Sequence, residues 1–281
     1  MSSRPIRGTL GGVFIAALLA TAGSVSVASA QASTLPSLTL AITPTSITVG
    51  GSTQSGAVNV VVTDTGVKEA QVILARLNPG ASFEEAEAAI KATHGDTNAL
   101  DPYGSLAFDV EVNPGKTTEA QTYLQPGEYV AVLPGGEGKG SKAHAAFTVT
   151  AAVSPVALPA PQAVERSIEF GFRGPSTLHD GELVRFENEG YLVHMDIAAP
   201  VKSMKAARKL VKDLVAGKEK GIDKLISGEP ATLAGPLSHD AYQQETITAK
   251  PGIYVQVCFM ETQDGRDHAL LGMERIIKIT K

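Results

Sequence analysis

The chain has no tryptophan, one cysteine and only 5% aromatic residues among its 281 positions. A lone cysteine rules out an internal disulfide, so no covalent staple restrains the unfolded chain. With so few aromatics, the core must be filled by aliphatic side chains. After the first 30 residues no stretch is apolar enough to span a bilayer. No Gly-x-Ser-x-Gly elbow, phosphate-binding loop or zinc signature occurs. The 24 basic residues are outnumbered by 29 acidic ones, a formal balance of −5, which argues against nucleic acid as a partner.

Residues 1–30 read as an export signal. Arg4 and Arg7 give a positive start, residues 11–20 are apolar apart from their glycines, and Ala28-Ser29-Ala30 is a small-residue cleavage pattern before Gln31. Thr21, Gly23 and Ser24 break the apolar run too early for a retained anchor, and no cysteine lies near the cleavage site to carry a lipid. Without this segment, which holds two arginines and no acid, the balance is 22 basic against 29 acidic residues, or −7. The expected mature protein is soluble and extracytoplasmic: secreted, periplasmic or at the cell surface, with no membrane span after signal cleavage.

The remainder contains a degenerate repeat. Pro126-Gly127-Glu128-Tyr129-Val130-Ala131-Val132 precedes Leu133, and Pro251-Gly252-Ile253-Tyr254-Val255-Gln256-Val257 precedes Cys258, an offset of 125. Asp64-Thr65-Gly66 and Asn188-Glu189-Gly190 follow apolar runs at an offset of 124. Each is a turn attached to a strand. Residues 151–164 hold Pro155, Pro159 and Pro161 and read as a semi-rigid linker. The expected domains are 36–150 and 165–281, each a β-sandwich with one helical insert. The first insert starts at a Ser82–Glu85 capping box. The second is capped by Ser203, with Met204, Ala207, Val211 and Leu214 as its apolar stripe and Lys205, Arg208, Lys209 and Lys212 opposite. That basic face reads as an ordinary solvated surface before it reads as a docking site for an acidic partner.

An unpaired thiol in an oxidising compartment is a liability without a role. Cys258 is followed by His268 and Met273, with nine and four residues between successive members. His194 lies on an upstream strand. Taken singly, each residue has a plain structural reading: a hydrogen-bonded core histidine, a small buried hydrophobe, a core methionine. Together, one thiolate, two imidazoles and a thioether form a donor set for one copper ion.

Residues 165–281 resemble the cupredoxin family. Phe186-Glu187-Asn188-Glu189-Gly190-Tyr191-Leu192-Val193-His194 looks like its strand, turn and first histidine. The stretch ending in Cys258 looks like its penultimate strand, and Gly265-Arg266-Asp267-His268 with Leu271-Gly272-Met273 looks like its ligand loop. The resemblance extends to uncharacterised exported bacterial cupredoxin-like domains. It implies a mainly β chain of two tandem cupredoxin-like Greek-key β-sandwiches, and His194, Cys258, His268 and Met273 as ligands to one copper. The first half is then a metal-free copy, with Ala70 and Leu133 where His194 and Cys258 stand. The sequence departs from the family at Met195, where small blue-copper proteins often carry asparagine. Glu261, Asp264 and Asp267 are expected to solvate the ligand loop.

His94, His144, His179 and His239 show no paired spacing, so a second copper site is not expected and the chain is read as not an enzyme. Its expected function is single-electron transfer or copper carriage, with a redox or copper-handling protein as partner. The alternative is a metal-free extracytoplasmic β-sandwich that serves as a structural or interaction module.

Overall fold

The computed structural model describes residues 35–67, 70–93, 95–112, 114–135, 141–218 and 220–281. The export signal expected at residues 1–30 lies outside them. Among the described residues no helix is long and apolar enough to cross a membrane.

The first half contains β1 (Ser37–Thr43), β2 (Ser46–Gly51), β3 (Gly56–Asp64), β4 (Ala70–Leu77), β5 (Gly104–Val112), β6 (Thr117–Leu124), β7 (Gly127–Pro134) and β8 (Ser141–Val149). The second contains β9 (Ala163–Ile168), β10 (Gly171–Arg173), β11 (Thr177–His179), β12 (Leu183–Asn188), β13 (His194–Val201), β14 (Ala231–Leu237), β15 (Tyr242–Thr246), β16 (Gly252–Val257) and β17 (Glu274–Thr280). The first half pairs its strands as β6-β3-β1-β2 and β5-β4-β7-β8, and the second as β10-β9-β12-β15 and β11-β17-β16-β13-β14. Apart from the short added strand β11, the two orders are the same. β1 runs parallel to β3 as β9 does to β12. The repeat seen in the turns is thus a repeat of topology, and the fold is two tandem cupredoxin-like β-sandwiches.

Strand alternation explains the layers. In β3, Val58, Val60 and Val62 are buried, and in β4 Val72 and Leu74 face them across the sandwich. These residues form an aliphatic core with Leu38, Leu40, Leu124 and Leu133. The second core gathers Leu178, Val184, Phe186, Ala198 and Ile277.

Each half carries its helix at the same topological place, after β4 and before β5 in the first half and after the equivalent β13 and before β14 in the second. Helix α1 (Phe83–Ala92) has the full capping box: the Ser82 hydroxyl accepts from the Glu85 N–H, and the Glu85 carboxylate accepts from the Ser82 N–H. Helix α2 (Met204–Val215) is capped by Ser203, whose hydroxyl accepts from the Ala206 N–H. It buries Ala207 and Leu210 against β13 and β16.

The halves meet along their sheet edges. β15 pairs antiparallel with β6, Gln243 opposite Thr122 and Gln244 opposite Gln121, so one eight-stranded sheet crosses both halves. The other edge pair, β5 and β14, closes over buried Asp109. Its N–H donates to the Gln243 side chain, and its carboxylate accepts from Gln71 at 2.8 Å. Burial pushes the Asp109 carboxyl well above the usual carboxylate range.

Gly235 on β14 leaves no room at this joint, since a Cβ there would sit 1.9 Å from Asp109 Oδ1. We expect Gly235→Ala to lower stability by about 1–3 kcal/mol through overpacking, read as a drop in the urea midpoint. An unchanged midpoint would mean that β14 withdraws from Asp109 freely.

Candidate metal centre

The four residues singled out in the sequence come from one strand start and one loop. His194 opens β13, Cys258 directly follows β16, His268 opens a short 3-10 helix (His268–Leu271), and Met273 directly precedes β17. His194 is 1% exposed and the other three are 0% exposed. The two imidazoles turn the same nitrogen inward: His194 Nδ1 lies 3.1 Å from His268 Nδ1. Cys258 Sγ is 3.8 Å from the first and 3.4 Å from the second. Among the described residues this is the one group of His, Cys, Asp and Glu arranged to hold a metal ion. Met273 packs in the same apolar cluster as Cys258 and Phe172.

The backbone fixes this convergence. The Cys258 N–H donates to the Met273 carbonyl at 3.2 Å, extending the β16–β17 ladder by one step. The Met273 N–H returns to the His268 carbonyl, and the His268 N–H to the Met260 carbonyl. Three donor residues are thereby tied in one loop before any ligand arrives. In the first half, Ala70 opens β4 where His194 opens β13, and Leu133 lies within β7 at the place of Cys258. Neither side chain can donate to a metal.

Several supporting residues were not read from the sequence. The Met195 N–H donates to Cys258 Sγ at 3.4 Å. A backbone amide makes this bond, so a methionine side chain at that position does not prevent it. Asn188 Nδ2 donates to the carbonyls of Leu192 and Leu237, and its Oδ1 accepts from the Gly190 N–H. It ties down the turn that delivers His194. Glu169 Oε1 accepts from the Leu192 N–H at 2.9 Å and lies 3.5 Å from His194 Nε2, the outward ring nitrogen. Such an outer carboxylate fixes ring orientation and tautomer. Gly190 permits the approach, because a Cβ there would lie 2.6 Å from both His194 Nε2 and Glu169 Oε1. Phe170 packs edge-on to the His268 ring, with centroids 5.1 Å apart.

The ligand loop is not wet in the way its acids suggest. Glu261 and Asp264 are exposed and Asp267 is half-buried, yet every donor residue is sealed. Asp264 is held instead by Arg266 and Thr262. In these dry surroundings burial pushes the Cys258 thiol up to about 12. Burial, followed by the neighbouring His268, pushes His194 down to about 4, and burial lowers His268 as well. Every shift favours the neutral form, so the cluster is uncharged at neutral pH. A bound cation would reverse this for the thiol, since metal ligation displaces its proton.

Below the cluster a polar chain crosses the sandwich. Glu165 on β9 takes Arg275 of β17, Arg275 also donates to Gln256 of β16, and Gln256 donates to Asp196 of β13. Glu165 and Asp196 are each 2% exposed. Burial outweighs the Arg275 charge and pushes the Glu165 carboxyl up to about 7. Asp196 is pushed up to about 8, mainly by burial and then by Glu165.

No protein-family model matches the chain, and no curated protein does. Among solved structures it is similar to an auracyanin from Roseiflexus castenholzii at 16% identity and TM-score 0.26, over 42% of this chain and 95% of that one. It is similar to a copper-containing nitrite reductase from Thermus scotoductus at 12% identity and TM-score 0.25, over 87% and 68%. A multicopper oxidase is similar at 12% identity and TM-score 0.23, over 86% and 87%. Two of these three are enzymes by name, so the expectation that the chain is not an enzyme does not stand.

Two measurements test the support of the site. Asn188→Ala strands buried polar groups that cost about 1–3 kcal/mol each. It should therefore lower the thermal midpoint and weaken metal binding together; loss of neither would mean that the turn holds itself. The second concerns pH. A Glu165 carboxyl raised from 4.5 to about 7 keeps a proton in the folded state that the unfolded chain has released. Its contribution is present below the unfolded value and is lost as pH rises through the folded one. Below about pH 6.5 the lowered histidines oppose this trend, so the thermal midpoint of the metal-free protein should decline from about pH 6.5 to about pH 8, with Glu165→Gln shrinking the decline. A flat profile would contradict it.

Proposed function

We propose that the chain is an exported protein that binds one copper ion, which would be held by His194 Nδ1, Cys258 Sγ and His268 Nδ1, with the Met273 thioether as a weaker fourth donor. The observation that carries this reading is the convergence of those three buried donor atoms within 3.8 Å of one another. A soft thiolate with two imidazoles and a thioether suits copper, which also stands above zinc in affinity for such ligands. Bound there, copper would supply a one-electron couple. The chain's own part is to hold the donors in place through the loop bonds, to donate the Met195 N–H to the sulfur, and to exclude water. The function is then passage of single electrons, or carriage of copper, to a redox or copper-handling protein outside the cytoplasm.

A second reading, a metal-free β-sandwich that serves as a structural or interaction module, is favoured by one observation. The two Nδ1 atoms lie 3.1 Å apart, so one imidazole can donate to the other and the two inward nitrogens are satisfied without a metal.

Titrating the mature protein with Cu(II) separates the two readings. The first expects an intense visible thiolate-to-copper absorption that saturates at one ion per chain, abolished by Cys258→Ser and kept, in altered form, by Met273→Leu. Copper should raise the wild-type thermal midpoint and leave that of Cys258→Ser nearly unchanged. Equal shifts in both proteins would place the metal elsewhere, and the absence of any band would leave the structural reading.

A further inference from the structure

β4 is apolar on both faces. Val72 and Leu74 point into the core of the first half, so Ile73, Ala75 and Leu77 line the opposite face. That second face is only partly covered. Between it, α1 and the loop after Cys258 lies a cavity of about 400 Å³, walled by Phe83, Ile90, Leu106, Phe259 and Met260 among others. The cavity opens to solvent on one side, where Phe259 and Glu261 are exposed, so a ligand can enter it without the fold opening. Its size and apolar lining are those of a small-molecule site.

The polar groups on its wall narrow the choice of ligand. Thr97 Oγ1 is buried there without a hydrogen-bond partner. Glu87 is matched by Lys91 at 2.9 Å. That leaves the carboxylates of Asp96 and Glu261 on the wall with no cation paired to them among the described residues. An anionic amphiphile would meet their repulsion. Met260 joins the cavity to the donor cluster. It packs with Val193 and Leu100 on one side and with Cys258 and Met273 on the other, and its carbonyl accepts from the His268 N–H. Asn98 makes a second link, accepting from the Val193 N–H and donating to the Glu261 carbonyl.

We infer that this cavity binds an uncharged, mainly hydrocarbon or aromatic small molecule bearing one hydroxyl or carbonyl group that meets Thr97, and that its occupancy is felt at the donor cluster through Met260. The binding does not depend on the copper reading; only its coupling to the cluster does.

The test uses the full metal-free chain and the neutral dye N-phenylnaphthylamine. Saturable fluorescence enhancement at one dye per chain is expected. Ile90→Lys, which brings a charge to the wall, and Ile73→Phe, which narrows it, should each weaken binding about tenfold or more, with circular dichroism verifying that both variants fold. The anionic anilinonaphthalene sulfonate should bind more weakly than the neutral dye. Naphthol should lose affinity in Thr97→Val, while the dye, which has no hydroxyl, should not. Absence of saturable binding, equal binding by both folded variants, or a preference for the anionic dye would overturn the proposal. In copper-loaded protein the neutral dye should shift the thiolate-to-copper band, and an unmoved band would overturn the coupling. If copper gives no band at all, the metal reading fails while the dye measurements still decide the cavity.

Discussion

The constraint on which the second half depends is the sealing of three polar donor atoms in a place that water does not reach. A thiol and two imidazoles, each at most 1% exposed, cannot be hydrated, so their mutual geometry and the backbone around them must satisfy them. That explains why so many hydrogen bonds converge on so short a stretch. The Met195 amide serves the sulfur, the loop carbonyls serve the amides of Cys258, His268 and Met273, and Asn188 and Glu169 hold the turn that carries His194. Buried polar groups are tolerable only when satisfied. His194 Nε2 and His268 Nε2 have no hydrogen-bond partner, the first facing Glu169 across 3.5 Å.

The same logic orders the polar chain beneath. Arg275 could reach solvent; instead it lies in the sandwich, where it ties Glu165 to Gln256 and through it to Asp196. Four strands, β9, β13, β16 and β17, are linked in this way. A position two residues from a candidate ligand is therefore coupled to the far sheet. Its position is set by the whole sandwich, not by the loop alone.

Much of this was legible in the sequence, for identifiable reasons. Turns recur at fixed offsets because a Pro-Gly or an Asx-x-Gly has few alternatives in backbone conformation, so the repeat was visible even though the side chains between the turns diverged. Cys258, His268 and Met273 lie close in sequence, and the loop that binds them together is local. Capping at Ser82 and Ser203 is local too. What could not be read depends on distant contacts: Glu169 reaching Leu192, Asn188 reaching Leu237, the Met195 amide meeting Cys258. The bond from Met195 to Cys258 Sγ is made by a main-chain N–H, which no residue type announces. The two-sided apolar pattern of β4 was present in the letters, but only the packing of α1 and the ligand loop shows that its second face borders a cavity.

The joint between the halves has one more implication. An open sheet ends in a strand whose N–H and C=O groups are free to recruit another chain. Each half contributes one end of each of its two sheets to the joint, β6 and β5 from the first and β15 and β14 from the second, and these are turned against one another while β2, β8, β10 and β11 remain outer edges. Duplication of a sandwich would ordinarily double its sticky margins. Arranged face to face, the two copies shield each other's margins, and an ancestral pair of identical domains would have had the same reason to associate before they were joined in one chain. Covering that border calls for backbone edges and not for the donor residues, so the first half can do it with Ala70 and Leu133 where the second has His194 and Cys258.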